Sequence, residues 1–232
     1  MRRLILPIVG MVFLALAACG EKPPKSTVTP VANEAAEGDP SEDMTQDAPV
    51  IVMLGDSLTA GYQLPAASAL PAVLQRDFDA MGLKARFINA GVSGDTTADG
   101  LNRYDWSVKG TNADLLVIAL GANDFLQNVP AETPKKNLAA ILTRAKSENL
   151  PAVLIGVALP GDQQDEREAA YAAIYPALAA EFNVPYFPNM LGAIAGQPRL
   201  LLQDGLHPTA EGVEAMAADI AEFLAPLVKD LS

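Results

Sequence analysis

The sequence predicts an α/β domain of three layers, a parallel five-stranded sheet with helices on both faces. Three observations carry this expectation. Apolar runs of strand length recur along the chain, helical patterns separate them, and the segments directly after the first three strands are rich in Gly, Asn and Asp. Unbroken apolar runs indicate strands buried on both faces, and strands joined through helices make crossovers between parallel neighbours.

The first strand is Val50-Ile51-Val52-Met53-Leu54, followed by Gly55-Asp56-Ser57-Leu58-Thr59-Ala60-Gly61-Tyr62. A helix is expected over Ser68 to Met81, with Leu70, Val73, Leu74, Phe78 and Met81 on one face and Gly82 as its stop. Arg86-Phe87-Ile88-Asn89 is a short second strand running into the loop Ala90-Gly91-Val92-Ser93-Gly94-Asp95. Leu115 to Leu120 is the third strand, Ala152 to Ala158 the fourth, and Val184 to Phe187 a weaker fifth. Between them, Thr133 caps and Pro134 opens a helix to about Asn149; Asp165 to Phe182 reads as another, and Thr209 to Val228 as the last.

In such sheets, sites form outside the carboxyl ends of the strands. Strand one ends in Gly55-Asp56-Ser57, strand two in Asn89 and then Gly94-Asp95, strand three in Gly121-Ala122-Asn123-Asp124. Gly55 gives a sharp bend and room beside Ser57, while the next helix turns its free N–H groups toward whatever the hydroxyl binds. On this stretch alone a capping role for Ser57 explains the residue equally well. Turn chemistry likewise accounts for Gly91 and Gly94, and a turn or helix cap for Asn123 and Asp124, when each is taken singly.

Asp204-Gly205-Leu206-His207-Pro208, before the last helix, changes that balance. His207 is the only histidine, three residues after a carboxylate able to hold its ring. A Ser–His mechanism therefore has one available base. Such a base predicts a rate that climbs through roughly pH 6 to 7, where an ordinary imidazole loses its proton.

The four stretches GDSLTAGY, NAGVSGDT, LGANDF and DGLHPT, in this order and spacing, resemble the four blocks of the SGNH (GDSL) hydrolases. The chain is most similar to the thioesterase I, lysophospholipase and arylesterase branch, and the likeness spans nearly everything from Pro49 to Val228, including Ala173-Ile174-Tyr175-Pro176. The resemblance implies the flavodoxin-like SGNH hydrolase fold and a mechanism. Ser57 would attack an ester or thioester carbonyl, His207 would move the proton, and Asp204 would orient the imidazolium. The backbone N–H groups of Ser57 and Gly94 and the amide of Asn123 would form the oxyanion hole. Asp56 is expected to fix its turn through backbone hydrogen bonds, and Asp95 and Asp124 to serve as scaffolding. No cofactor is implied, and a lone His with a lone Cys cannot make a zinc centre.

The implied substrates are short to medium acyl esters and lysophospholipids, with thioesters and aryl esters also in range. The loops Asn123 to Glu132 and Leu159 to Glu166 carry Phe125, Leu126, Val129, Leu159 and Pro160, which either line an acyl groove or pack locally. Two alternatives stand beside this reading: an O-acetyl esterase acting on carbohydrate or cell wall, and a non-catalytic lipid-anchored binding domain. A nucleotide-binding domain is disfavoured, since no G-x-G-x-x-G or P-loop pattern follows the first strand.

The N-terminal end reads as an export signal. Arg2 and Arg3 precede the apolar stretch Leu4 to Ala18, too short for a membrane span. Leu16-Ala17-Ala18-Cys19 resembles the lipobox of bacterial lipoproteins, which makes residues 1–18 the signal peptide and Cys19, the only cysteine, the lipidated residue. An ordinary signal that leaves a free thiol is the alternative. Gly20 rather than Asp after the cysteine points to the outer membrane, with the domain facing the periplasm. Residues 19–47 hold seven acidic residues against Lys22 and Lys25 and no aromatics, the composition of a disordered tether. Residues 48–232 remain as one domain, expected to be a monomer. The net charge of −12, without a basic cluster, disfavours nucleic acid and electrostatic attraction to anionic lipid.

Overall fold

A computed structural model describes residues 48–157 and 166–231. The signal segment, Cys19, the acidic tether, and Leu159 and Pro160 lie outside the described residues. The elements run β1 (Val50–Gly55), α1 (Ser57–Ala60), α2 (Leu70–Ala80), β2 (Arg86–Gly91), α3 (Thr97–Asn102), α4 (Tyr104–Ser107) and β3 (Leu115–Ala119). They continue with α5 (Ala122–Leu126), α6 (Glu132–Ser147), β4 (Ala152–Ile155), α7 (Glu166–Ala172), α8 (Ile174–Phe182), β5 (Tyr186–Phe187) and α9 (Ala210–Lys229).

The five strands form one sheet in the order β2-β1-β3-β4-β5, every neighbouring pair parallel. Its two faces are sorted by the period of two along each strand. Ile51, Met53, Leu115, Val117, Val153 and Ile155 face one way, onto α2 and the Val213, Met216, Ile220 and Leu224 stripe of α9. Val52, Leu54, Leu116, Ile118 and Leu154 face the other, onto Leu138, Ile141 and Leu142 of α6 and Ile174 and Leu178 of α8. Both faces are dry, which is why β1, β3 and β4 read as continuous apolar runs.

Sheet order places the topological switch between β1 and β3, because the chain leaves β1 toward β2 on one side and returns to β3 on the other. The carboxyl ends of β1, β2 and β3 thus share one edge. Val92 N–H donates to the Gly55 carbonyl at 3.1 Å, so the loop after β2 begins beside the turn after β1.

Several expected boundaries move, each for a physical reason. Met81 is 48 % exposed, because α2 ends at Ala80 and Met81 leaves the apolar stripe that Leu70, Val73, Leu74 and Phe78 keep. Thr133 does not cap α6: the helix starts at Glu132, preceded by Ala131 without a side-chain cap bond. The helix expected over Asp165 to Phe182 is two helices meeting at Ala173. Pro176 has no N–H to offer the Ala172 carbonyl and its ring crowds that group, which breaks the ladder there. Thr209 does cap α9, its hydroxyl accepting from Gly212 N–H at 3.1 Å.

Candidate active site

Ser57 opens α1 directly after β1, but it is not the cap. Asp56 is, its Oδ1 accepting from Leu58 N–H at 3.0 Å, which leaves the Ser57 hydroxyl free for other work. Ser57 N–H is the first of its helix and has no acceptor within it. Gly55 is glycine for room: its backbone lies against the side chain of Thr59, where a Cβ would collide.

The opposite wall is the loop before α9. Leu201 and Pro208 form an antiparallel bridge, and Leu202 N–H donates to the His207 carbonyl at 2.7 Å, closing a tight loop around residues 203 to 206. Inside it Asp204 Oδ1 accepts from the backbone N–H groups of Leu206 (2.9 Å) and His207 (3.0 Å), and Oδ2 lies 2.7 Å from His207 Nδ1. Those backbone donors, with the imidazole after them, hold the Asp204 carboxyl down at about 2. An ionised carboxylate only accepts, which puts a ring proton on Nδ1 and leaves Nε2 to accept from Ser57 Oγ, 2.9 Å away. Ser57, His207 and Asp204 therefore form one hydrogen-bonded chain. Tyr62, at the end of the first block, stacks on the imidazole with ring centroids 4.3 Å apart.

The third side is the end of β2 and the start of α5. Gly94 has φ +90°, and a Cβ there would meet nothing within 4 Å. Asn123, in the first turn of α5, donates from Nδ2 to the Asp95 carbonyl at 2.9 Å, which ties α5 to the loop that carries Gly94. That bond uses one of the two amide hydrogens. Behind it, the buried Asp124 carboxylate accepts from Thr97 N–H and Thr97 Oγ1, both at 2.7 Å, joining α5 to α3.

Asp56 is fully buried; its Oδ2 and the Thr59 hydroxyl find no hydrogen-bond partner among the described residues. Burial pushes the Asp56 carboxyl up to about 6, against the opposing pull of the Leu58 N–H and His207. Of the expected groove residues, Phe125 is committed to packing and Val129 is half-buried. The Arg167 guanidinium sits 3.8 Å over the Phe125 ring, Tyr171 meets that ring edge-on, and Val129 N–H donates to the Asp124 carbonyl. Leu126 is 48 % exposed.

Sequence reasoning overlooked Arg103, a buried cation whose guanidinium touches both Gly55 and Asp95. The one local signal was the capping box of Thr96 and Asp99, which announces α3 and so places Arg103 just past its end.

Comparison with known proteins identifies the family. Residues 53–215 match the GDSL-like lipase/acylhydrolase family. The chain is 34 % identical over 181 residues to thioesterase 1/protease 1/lysophospholipase L1 of Escherichia coli strain K12, covering 78 % of this chain and 86 % of that protein. It is also 34 % identical to an arylesterase of Vibrio mimicus, covering 75 % and 87 %. Among solved structures it is similar to AlinE4, an SGNH-hydrolase family esterase, at 35 % identity and a TM-score of 0.66, covering 78 % of this chain and 97 % of that one. By fold and by sequence, this chain belongs to the GDSL-like lipase/acylhydrolase family.

Proposed function

We propose that the protein is a serine hydrolase of carboxylic esters that works through an acyl-enzyme, with Ser57 as nucleophile, His207 as general base and acid, and Asp204 as the group that orients it. The single observation that carries this reading is the chain Ser57 Oγ, His207 Nε2, His207 Nδ1, Asp204 Oδ2, with links of 2.9 and 2.7 Å. His207 takes the hydroxyl proton as Oγ bonds to the carbonyl carbon, and returns it to the leaving oxygen as the ester bond breaks. Water then repeats the two steps and frees the acid. The oxyanion is met by the N–H groups of Ser57 and Gly94 and by the second amide hydrogen of Asn123.

The substrates are acyl and aryl esters, lysophospholipids and, in the same chemistry, thioesters. The names of the relatives support this range, as does the exposed apolar surface of Tyr62, Leu126 and Leu206 on the elements that carry the site. The domain works in the cell envelope, held to the membrane through a lipid on Cys19. That part rests on the sequence alone, and Cys19→Ser is expected to release the protein from the membrane fraction. The test of the activity is hydrolysis of p-nitrophenyl esters of increasing acyl length, with Ser57→Ala in parallel. Activity in the parent and none in the variant supports the reading, and equal activity in both refutes it.

A further inference from the structure

We propose that Arg103 is a positioning residue that locks the nucleophile turn and the oxyanion loop into one geometry. This rests on the serine hydrolase reading above. Arg103 lies between α3 and α4 with only 7 % of its surface exposed, and its three nitrogens have separate partners. Nη2 donates to the Gly55 carbonyl at 2.8 Å, Nε to Asp95 Oδ2 at 2.5 Å, and Nη1 to Ser107 Oγ at 2.9 Å.

The partners matter more than their number. Gly55 is two residues before Ser57, and Asp95 follows Gly94 directly. The backbone carbonyl of Asp95 is the group held by Asn123 Nδ2, so Asp95 is gripped twice, by its carboxylate from Arg103 and by its carbonyl from Asn123. One rigid, planar cation therefore sets the separation between Ser57 and two of the three oxyanion donors. A lysine has a single nitrogen on a flexible stem and cannot span the same three acceptors in these directions. Misplacement by about 1 Å in such a site costs on the order of 10²-fold in rate.

The test uses the full chain and the variants Arg103→Lys and Asp95→Asn, the latter keeping the carbonyl that Asn123 holds. Reactive serines are first counted by stoichiometric release of p-nitrophenolate from a p-nitrophenyl phosphonate, run to completion. Ester hydrolysis is then expressed per counted serine. A role in the reacting geometry lowers kcat per counted serine by about 10- to 100-fold in Arg103→Lys, with KM within about twofold, and Asp95→Asn moves in the same direction. The double variant is expected to be no worse than the more damaged single one, since both remove the same link. Purely structural support gives the opposite pattern, fewer counted serines but an unchanged kcat for each, and that result overturns the proposal. Ser57→Ala separates the two levels of inference. If it stays active, the assignment of Ser57 fails and the proposal with it; if it is dead while Arg103→Lys keeps the parent kcat per site, only the role of Arg103 fails.

Discussion

Asp204 holds His207 at two points, one carboxylate oxygen taking the residue's own backbone N–H at 3.0 Å and the other facing its ring Nδ1 at 2.7 Å. Because backbone donors come first in keeping Asp204 ionised, the carboxylate is in place whatever the ring is doing. Asp204→Asn keeps an oxygen for the backbone but can turn an N–H donor toward Nδ1, favouring the wrong tautomer. A fall of about 10²–10⁴ in kcat is expected, as for the equivalent change in other triads. Asp204 is ionised from about pH 3 upward. An acid limb near neutrality that survives in Asp204→Asn, measured on the same ester, belongs to another group.

The two glycines of the second block fail differently when replaced. Gly94→Ala meets no atom within 4 Å, and its cost is the left-handed backbone, φ +90°, at about 1–3 kcal/mol or a shift of the loop that carries the oxyanion N–H. Gly91→Ala has no such φ but places a Cβ 2.5 Å from the Ala60 backbone nitrogen. It has to push α1, and Ser57 with it. Gly94→Ala is therefore expected to lower kcat with a modest loss of thermal stability, and Gly91→Ala to lower both sharply; melting curves beside steady-state kinetics separate the two.

What was legible in the sequence follows from how local each signal is. β1, β3 and β4 announce themselves because a strand buried on both faces is apolar throughout, whereas β5 has two residues and barely registers. Of the three helices overlooked, α3 spans six residues, α4 four and α5 five, the last standing where a loop from Asn123 was expected; each has too few turns for periodicity, and only the capping box marks α3. The break at Ala173 was written in Pro176, but the apolar pattern runs through it and masks it. Asp204 and His207 are three residues apart and declare their partnership. Ser57 is 150 residues from His207 and needed the pattern of four blocks to connect it. Arg103 was invisible because its acceptors include a backbone carbonyl 48 residues away, and a carbonyl leaves no trace in residue type.

Tyr62 packs against His207, its ring tilted 35° to the imidazole with centroids 4.3 Å apart, while Ser57 and Asp204 hold only the ring nitrogens. Removing the ring in Tyr62→Ala frees the imidazole to swing, and the loss of an aromatic pair of about 0.5–1.5 kcal/mol corresponds to a roughly 2- to 13-fold lower kcat. Tyr62→Phe keeps the stacked ring and is expected to keep the rate. Equal losses in both variants would assign the effect to the hydroxyl instead.

Asp56 makes a prediction about stability rather than rate. Its carboxyl is buried and raised to about 6 from 3.8, so the folded state holds this proton more tightly than the unfolded chain does. Between those values the native protein binds more protons, and stability must fall as pH rises. The contribution is fully present below about pH 4 and gone above about pH 6, a drop of about 3 kcal/mol from a shift of about two units. Asp56→Asn retains an oxygen for the Leu58 N–H and has nothing to ionise. Denaturant melts of parent and variant at pH 4, 5, 6 and 7 are expected to show the difference moving in the variant's favour up to pH 6 and level beyond it. A difference that stays constant across that range would mean the Asp56 carboxyl ionises in the folded protein as readily as in the unfolded one, and that its unpartnered oxygen is not excluded from water.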